Sequence, residues 1–161
     1  MSTTLQHLLP KNWRPGRAAA AGIVATAAYS VAMENDKYVT GNDFNDVEFI
    51  QGLFGNKNAS SHRFRTLSWG LHFLNGVMLG EIYAAFCKRL LPGPNWLKGA
   101  LFGGTFIAAA WTLTPLADRY HPMIKDGQLP PLANWTSFWQ NVLRHIIFGI
   151  TLGLLYREPT K

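Results

Sequence analysis

The stretches LHFLNGVMLGEIYAAF (Leu71–Phe86) and RHIIFGITLGLLYREP (Arg144–Pro159) carry the same residues at the same spacing. His72, Gly76, Gly80 and Tyr83 in the first are matched 73 positions later by His145, Gly149, Gly153 and Tyr156 in the second. Relative positions 0, +4, +8 and +11 fall on one stripe of an α-helix, so a single helical face is written twice. A second correspondence, at an offset of 82, aligns GIVATAAYSVAMENDKY (Gly22–Tyr38) with GTFIAAAWTLTPLADRY (Gly104–Tyr120) and shares Gly22/Gly104, Ala27/Ala109, Asp36/Asp118 and Tyr38/Tyr120. The chain therefore reads as one domain, 1–161, built from a repeated two-helix unit, the first copy over 18–88 and the second over 98–157. The fall in offset from 82 to 73 puts a loop nine residues shorter inside the second copy, because insertions between repeats belong in loops.

Hydrophobic residues make up 48% of the chain and charged residues only 15%, against roughly 25% charged in an ordinary soluble domain. The charges are also unevenly placed. Sixteen uncharged residues separate Arg17 from Glu34, fifteen separate Arg65 from Glu81, nineteen separate Lys98 from Asp118 and twelve separate Arg144 from Arg157. A hydrocarbon core about 30 Å thick needs about 20 apolar residues in a helix. The third run meets that length unaided. The first does so if Arg17 snorkels, and the second and fourth if Glu81 and Arg144 are accepted within their spans. This predicts an all-α, four-transmembrane-helix bundle with a pseudo-twofold axis along the membrane normal. A mean hydropathy of +0.01 leaves a soluble helical bundle as the alternative.

Four spans put both termini on one side. Eight basic residues lie in the short segments there (Lys11, Arg14, Arg17, Lys88, Arg89, Lys98, Arg157 and Lys161), and seven of the nine acids lie on the other. The positive-inside rule then makes both termini cytoplasmic. The net charge of +6 reads as a topology signal and as contact with membrane lipids, and no nucleic-acid motif accompanies it. A basic start, an Ala-rich run and Ser30-Val31-Ala32 resemble a cleavable leader, but helix 1 has a repeat counterpart that argues for its retention. The lone Cys87 excludes an internal disulfide.

Between the first two spans, DFNDVEFIQGLFG (Asp43–Gly55) carries Phe44, Val47, Ile50, Leu53 and Phe54 at helical spacing, which predicts an amphipathic loop helix over about 43–55 with Asp43 as N-cap and Gly55 as stop. Its carboxylates, Asp43, Asp46 and Glu48, lack calcium-loop spacing and suit the first turn of a helix. In the matching loop of the second unit, Asp118, Tyr120 and His121 form a candidate outer polar cluster, either a proton relay or an interfacial group.

Three features remain inside the spans. Gly76, Gly80, Gly149 and Gly153 form small-xxx-small faces for helix packing. His72 and His145 should lie at equal depth, either hydrogen-bonded to neighbouring helices or holding a b-type haem or a metal between them. Glu81, which Leu154 replaces in the second copy, is a candidate for a proton or ion path, or pairs with Lys88 or Arg17. Arg144, which answers to Leu71, is expected to snorkel outward.

With these residues in view, GIVATAAYSVAM, HFLNGVMLGEIYA and HIIFGITLGLLY resemble the small four-helix bacterial membrane proteins of unknown function, YagU-like and related uncharacterised families. The resemblance covers the spans and implies a multi-pass protein of the bacterial inner membrane, without catalytic residues to carry over. No nucleophile and base set, phosphate loop or cysteine cluster is present in the sequence. The expectation is a non-enzymatic membrane protein without a cofactor, acting as a homo-oligomer or as an accessory to other membrane subunits. The alternatives are a haem b electron-transfer subunit using His72 and His145, and a small proton-coupled transporter using Glu81.

Overall fold

The computed structural model describes residues 13–54 and 62–157. Among them are seven α-helices, one π-helical turn and no strand, so the fold is all-α. Helix α1 spans Pro15–Thr40, α2 Asp46–Gly52, α3 His62–Ile82, α4 Asn95–Trp111, α5 Thr114–Tyr120, α6 Pro122–Lys125 and α7 Trp135–Leu155. The π-helical turn, Tyr83–Cys87, continues α3 and closes with Lys88 N–H donating to Tyr83 O at 2.9 Å.

The ends of these helices follow from local chemistry. Pro15 starts α1, where a missing N–H costs nothing. Gly41 stops it at φ +68°, a left-handed conformation that leaves the Gly41 N–H on Lys37 O at 2.9 Å. Asn134 caps α7 by accepting from Ser137 N–H at 2.9 Å. The predicted loop helix is present but shorter, and its cap is Asn45 rather than Asp43. The Asn45 side chain accepts from Val47 and Glu48 N–H at 2.9 and 3.2 Å, two backbone donors that Asp43 stands too far back to reach. The expected stop at Gly55 lies outside the described residues.

The long third apolar run is not one straight helix. It breaks into α4 and α5 with a 50° bend, and Pro115 in the first turn of α5 supplies the cause by removing a backbone donor. That bent pair passes the length and composition expected of a membrane span. No single helix among the described residues is long and apolar enough to cross a membrane.

Packing divides the molecule into two helical hairpins. Helix α1 lies on α3 and α4 on α7, the second pair being the more extensive, while α1 also packs on α7 and joins the hairpins. Each hairpin closes on glycine. A Cβ on Gly149 would collide with the carbonyl of Gly99, and one on Gly22 would sit 2.5 Å from the carbonyl of Gly76, so both contacts bring backbone to backbone. Gly80 approaches Ala18 and Gly22 in one hairpin, as Gly153 approaches Asn95 and Gly99 in the other. The glycine faces are therefore spent within the chain, and the oligomer expectation loses the feature it rested on.

These contacts also change the register of the repeat. Gly76 and Gly149, 73 apart, meet Gly22 and Gly99, which are 77 apart. Tyr29 and Phe106, again 77 apart, pack on His72 and His145 at ring-centroid distances of 5.6 and 5.7 Å. The offset of 82 read from sequence was thus five residues too long, and Gly104, the expected partner of Gly22, has open space where a side chain would go. Alanine- and glycine-rich helices align by composition at several offsets, and contact geometry selects one of them.

The interior combines an apolar core, which includes Met33, Leu79, Tyr83, Phe102, Phe148 and Leu152, with buried polar and charged side chains. Arg144, Asp36, Gln140, Asn141, His72 and His145 are buried, whereas Ile23, Val24, Leu74, Met78, Leu143 and Leu154 face outward from α1, α3 and α7.

Candidate functional site

The most constrained group in the structure is Arg144, which has no exposed surface at all. The snorkelling expected of it does not occur, because its guanidinium is met within the bundle on three sides. Nε donates to Asp36 Oδ2 at 2.6 Å and Nη2 to Asp36 Oδ1 at 2.7 Å, a two-pronged pairing that matches the planar fork to the carboxylate. Nη1 reaches Asp46 Oδ2 at 3.1 Å, and Nη2 also donates to the Phe44 carbonyl at 3.0 Å. One side chain on α7 thereby grips α1 through Asp36 and the α2 segment through Asp46 and Phe44.

A buried charge is tolerable only when it is paired and its remaining polar atoms are satisfied. Gln140, one turn before Arg144, completes that requirement. Its amide donates to Asp36 Oδ1 at 3.0 Å, Thr40 Oγ1 at 2.8 Å and Asn42 O at 3.0 Å, and its oxygen accepts from Asn42 at 2.5 Å. The Tyr29 hydroxyl then donates to Asp46 Oδ2 at 2.8 Å. Two carboxylates share one guanidinium, so the cluster carries one net negative charge.

Beside this cluster lies a cavity of about 370 Å³ between α1, α3 and α7, with α2 across it. Tyr29, His72, Asp46 and His145 supply its polar wall, and Phe49, Ile50, Leu79 and Phe148 its apolar wall. Helix α2 is fastened over it from both sides. Asp46 ties its start to Arg144 and Tyr29, and Asn45 donates to Glu34 at 3.1 Å. On the far side His121, only 2% exposed, donates from Nε2 to the Phe49 carbonyl at 2.8 Å and stacks on the Phe49 ring at 4.2 Å.

The hydrogen bonds fix which nitrogen of each neutral imidazole bears the proton. His145 Nδ1 lies 2.8 Å from the Asn141 carbonyl, which can only accept, so Nδ1 donates and Nε2 keeps a lone pair. Ser30 spends its proton on Thr26 O at 2.8 Å, so His72 Nε2 donates to Ser30 Oγ across 3.2 Å and Nδ1 keeps the lone pair. Both rings pack on Tyr29, at 5.6 and 5.1 Å. The free nitrogens, His145 Nε2 and His72 Nδ1, could ligate without breaking either hydrogen bond, but a haem held between them would have to part both rings from Tyr29. Among the described residues no cluster of three or more His, Cys, Asp or Glu side chains is arranged to hold a metal ion.

The remaining expected residues are placed elsewhere. Glu81 is half-buried near the opposite end of α3 and accepts from Trp13 Nε1 at 3.0 Å, while Lys88 donates to the Tyr156 carbonyl at 3.0 Å. Asp118, Tyr120 and His121 diverge. Asp118 accepts from the Leu132 and Ala133 N–H groups at 2.7 and 2.9 Å, Tyr120 points outward at 65% exposure, and His121 holds α2. Sequence reasoning brought out Arg144 as a break in the repeat but missed Asp36, Asp46 and Tyr29 as its partners. Its one available signal was that a charge so deep in an apolar stretch requires an opposite charge on another helix.

No curated protein and no solved structure matches this chain. A family model, that of a family of unknown function, DUF6789, matches residues 14–161, and the chain belongs to that family.

Proposed function

We propose that this is a non-enzymatic integral membrane protein whose role is to bind a small ligand in the cavity beneath α2. The observation that carries the binding role is the cavity itself: a space of about 370 Å³ walled by Tyr29, Asp46, His72 and His145 under a helix fastened by Arg144 and His121. That volume falls within the range of about 300–1,000 Å³ typical of ligand sites, which are mostly apolar with a few placed polar groups.

The membrane part rests on the outward apolar residues of α1, α3 and α7 surrounding buried charge, since contiguous apolar surface seeks lipid or another protein. The resemblance to YagU-like proteins supports the same reading. The distribution of basic residues supports an inner-membrane orientation with both termini cytoplasmic, which sets the cavity toward the outer face. A path from there to Glu81 is disfavoured. One turn beyond Leu79 and Phe148 the interior is closed by the buried Tyr83, Leu152 and Phe102, so the transporter alternative is not carried forward.

Two measurements test the proposal. Membranes washed with alkaline carbonate should retain the protein in the pellet, and its release to the supernatant would refute the membrane reading. Leu79→Trp should fill the cavity, so small molecules extracted from the purified wild-type protein should be lost from this variant. Identical extracts from the two would refute the binding role.

A further inference from the structure

We propose that the cavity takes a small organic cation bearing N–H donors, that is, a protonated primary amine or a guanidinium compound. This rests on the reading of the cavity as a binding site and adds the chemistry of its occupant.

Three observations point to it. First, the charge at the wall is negative. Asp36 and Asp46 share Arg144, and of these three Asp46 is the one that lines the cavity, with 23% of its side chain exposed. Its Oδ2 takes both the Tyr29 hydroxyl and Arg144, while its Oδ1 takes no hydrogen bond among the described residues.

Second, the hydrogen-bonding capacity left at the wall is almost entirely accepting. Tyr29 has given its proton to Asp46 and Thr26 has given its own to Gly22 O at 2.8 Å. His72 Nδ1 and His145 Nε2 hold lone pairs with no partner among the described residues, by the proton placement that their other nitrogens require. Asn75 is the one lining side chain with an uncommitted donor among the described residues. An anion would meet a carboxylate and lone pairs, and a neutral ligand, even one that donates to the carboxylate, would leave its negative charge uncompensated.

Third, the rest of the wall presents aromatic rings, those of Tyr29, Phe49 and Phe148, which favour an organic cation by their negative faces. A bare metal ion is not favoured in the same way, because Asp46, His72 and His145 do not converge as a ligand set. The occupant must therefore carry several donors across a space, as an ammonium or guanidinium group with its alkyl stem does.

The test is titration calorimetry on the full chain in detergent micelles with four probes of similar size: n-butylammonium, tetramethylammonium, n-butanol and butyrate. Butylammonium should bind at least about tenfold more tightly than the other three, because tetramethylammonium keeps the charge but lacks the donors. Asp46→Asn should weaken butylammonium roughly ten- to a hundredfold, the worth of a hydrogen bond to a charged group. His145→Phe, which keeps a ring against Tyr29 and removes the acceptor, should also weaken it and serves where Asp46→Asn does not fold. Binding of butyrate, butanol or tetramethylammonium equal to that of butylammonium, abolished by Leu79→Trp, would overturn the cation assignment and leave the site standing. Binding of no probe, or binding indifferent to Leu79→Trp, would overturn both.

Discussion

Replacing Arg144 by leucine, the residue that its repeat counterpart Leu71 supplies, isolates the energetic role of the buried cluster. The substitution removes four hydrogen bonds at once: two to Asp36, one to Asp46 and one to the Phe44 carbonyl. Asp36 keeps only Gln140 among its side-chain donors and remains a charge with 8% of its side chain exposed. Breaking a buried pair by removing one partner costs about 3–5 kcal/mol, most of it the cost of the charge left behind. Asp36→Leu should cost somewhat less, because Arg144 retains Asp46 and the Phe44 carbonyl. The double variant should recover much of the loss, since replacing a buried ion pair by apolar residues is often neutral or stabilising. The coupling between the two sites should therefore exceed about 2 kcal/mol, against about 0.5 kcal/mol or less for independent sites. Unfolding of the three variants in mixed micelles with rising dodecyl sulfate, followed by tryptophan fluorescence, measures these differences. If Arg144→Leu cost under about 1 kcal/mol, as for an exposed ion pair, or if the two substitutions were additive, the reasoning would be refuted.

Two further outcomes follow from the packing. Gly149→Ala should destabilise by about 1–3 kcal/mol, because its Cβ meets the Gly99 backbone, whereas Gly104→Ala, with open space around it, should be neutral or stabilising by up to about 1 kcal/mol; the same unfolding assay separates them, and equal effects would refute the hairpin contacts. Asn45→Ala should remove the cap of α2 at about 1 kcal/mol, seen as faster hydrogen exchange at Val47 and Glu48 with the exchange of α4 and α7 unchanged.

The sequence and the structure agree where periodicity carries the information. The long apolar stretches become helices, and the stripe of His72, Gly76, Gly80 and Tyr83 turns inward as a face, as does its copy on α7. The loop helix was legible from its apolar spacing, although its cap was not, because Asp43 and Asn45 are both good caps and only the backbone geometry chooses between them. The site itself was half-legible. The paired histidines were found, but their partner Tyr29 lay in the helix whose repeat register was misread, and the pairing of Arg144 with Asp36 joins residues 108 apart. No local pattern specifies such a contact. It follows from the cost of burying a charge, and that rule says that a partner must exist without saying which.

The grip of Arg144 on Asp36 also bears on the order in which the chain can be assembled. An arginine near the middle of a helix raises the cost of entering lipid by about 2.5–3.5 kcal/mol. The carboxylate that offsets this cost belongs to α1, and the arginine to α7, 108 residues later in the chain. On the membrane reading proposed above, Asp36 on α1 gains its cationic partner only once α7 has been made, and the α2 segment is tied to Arg144 only after the two have met. The wall of the cavity is then complete only once α1, the α2 segment, α3 and α7 have come together, although these elements are far apart in the chain.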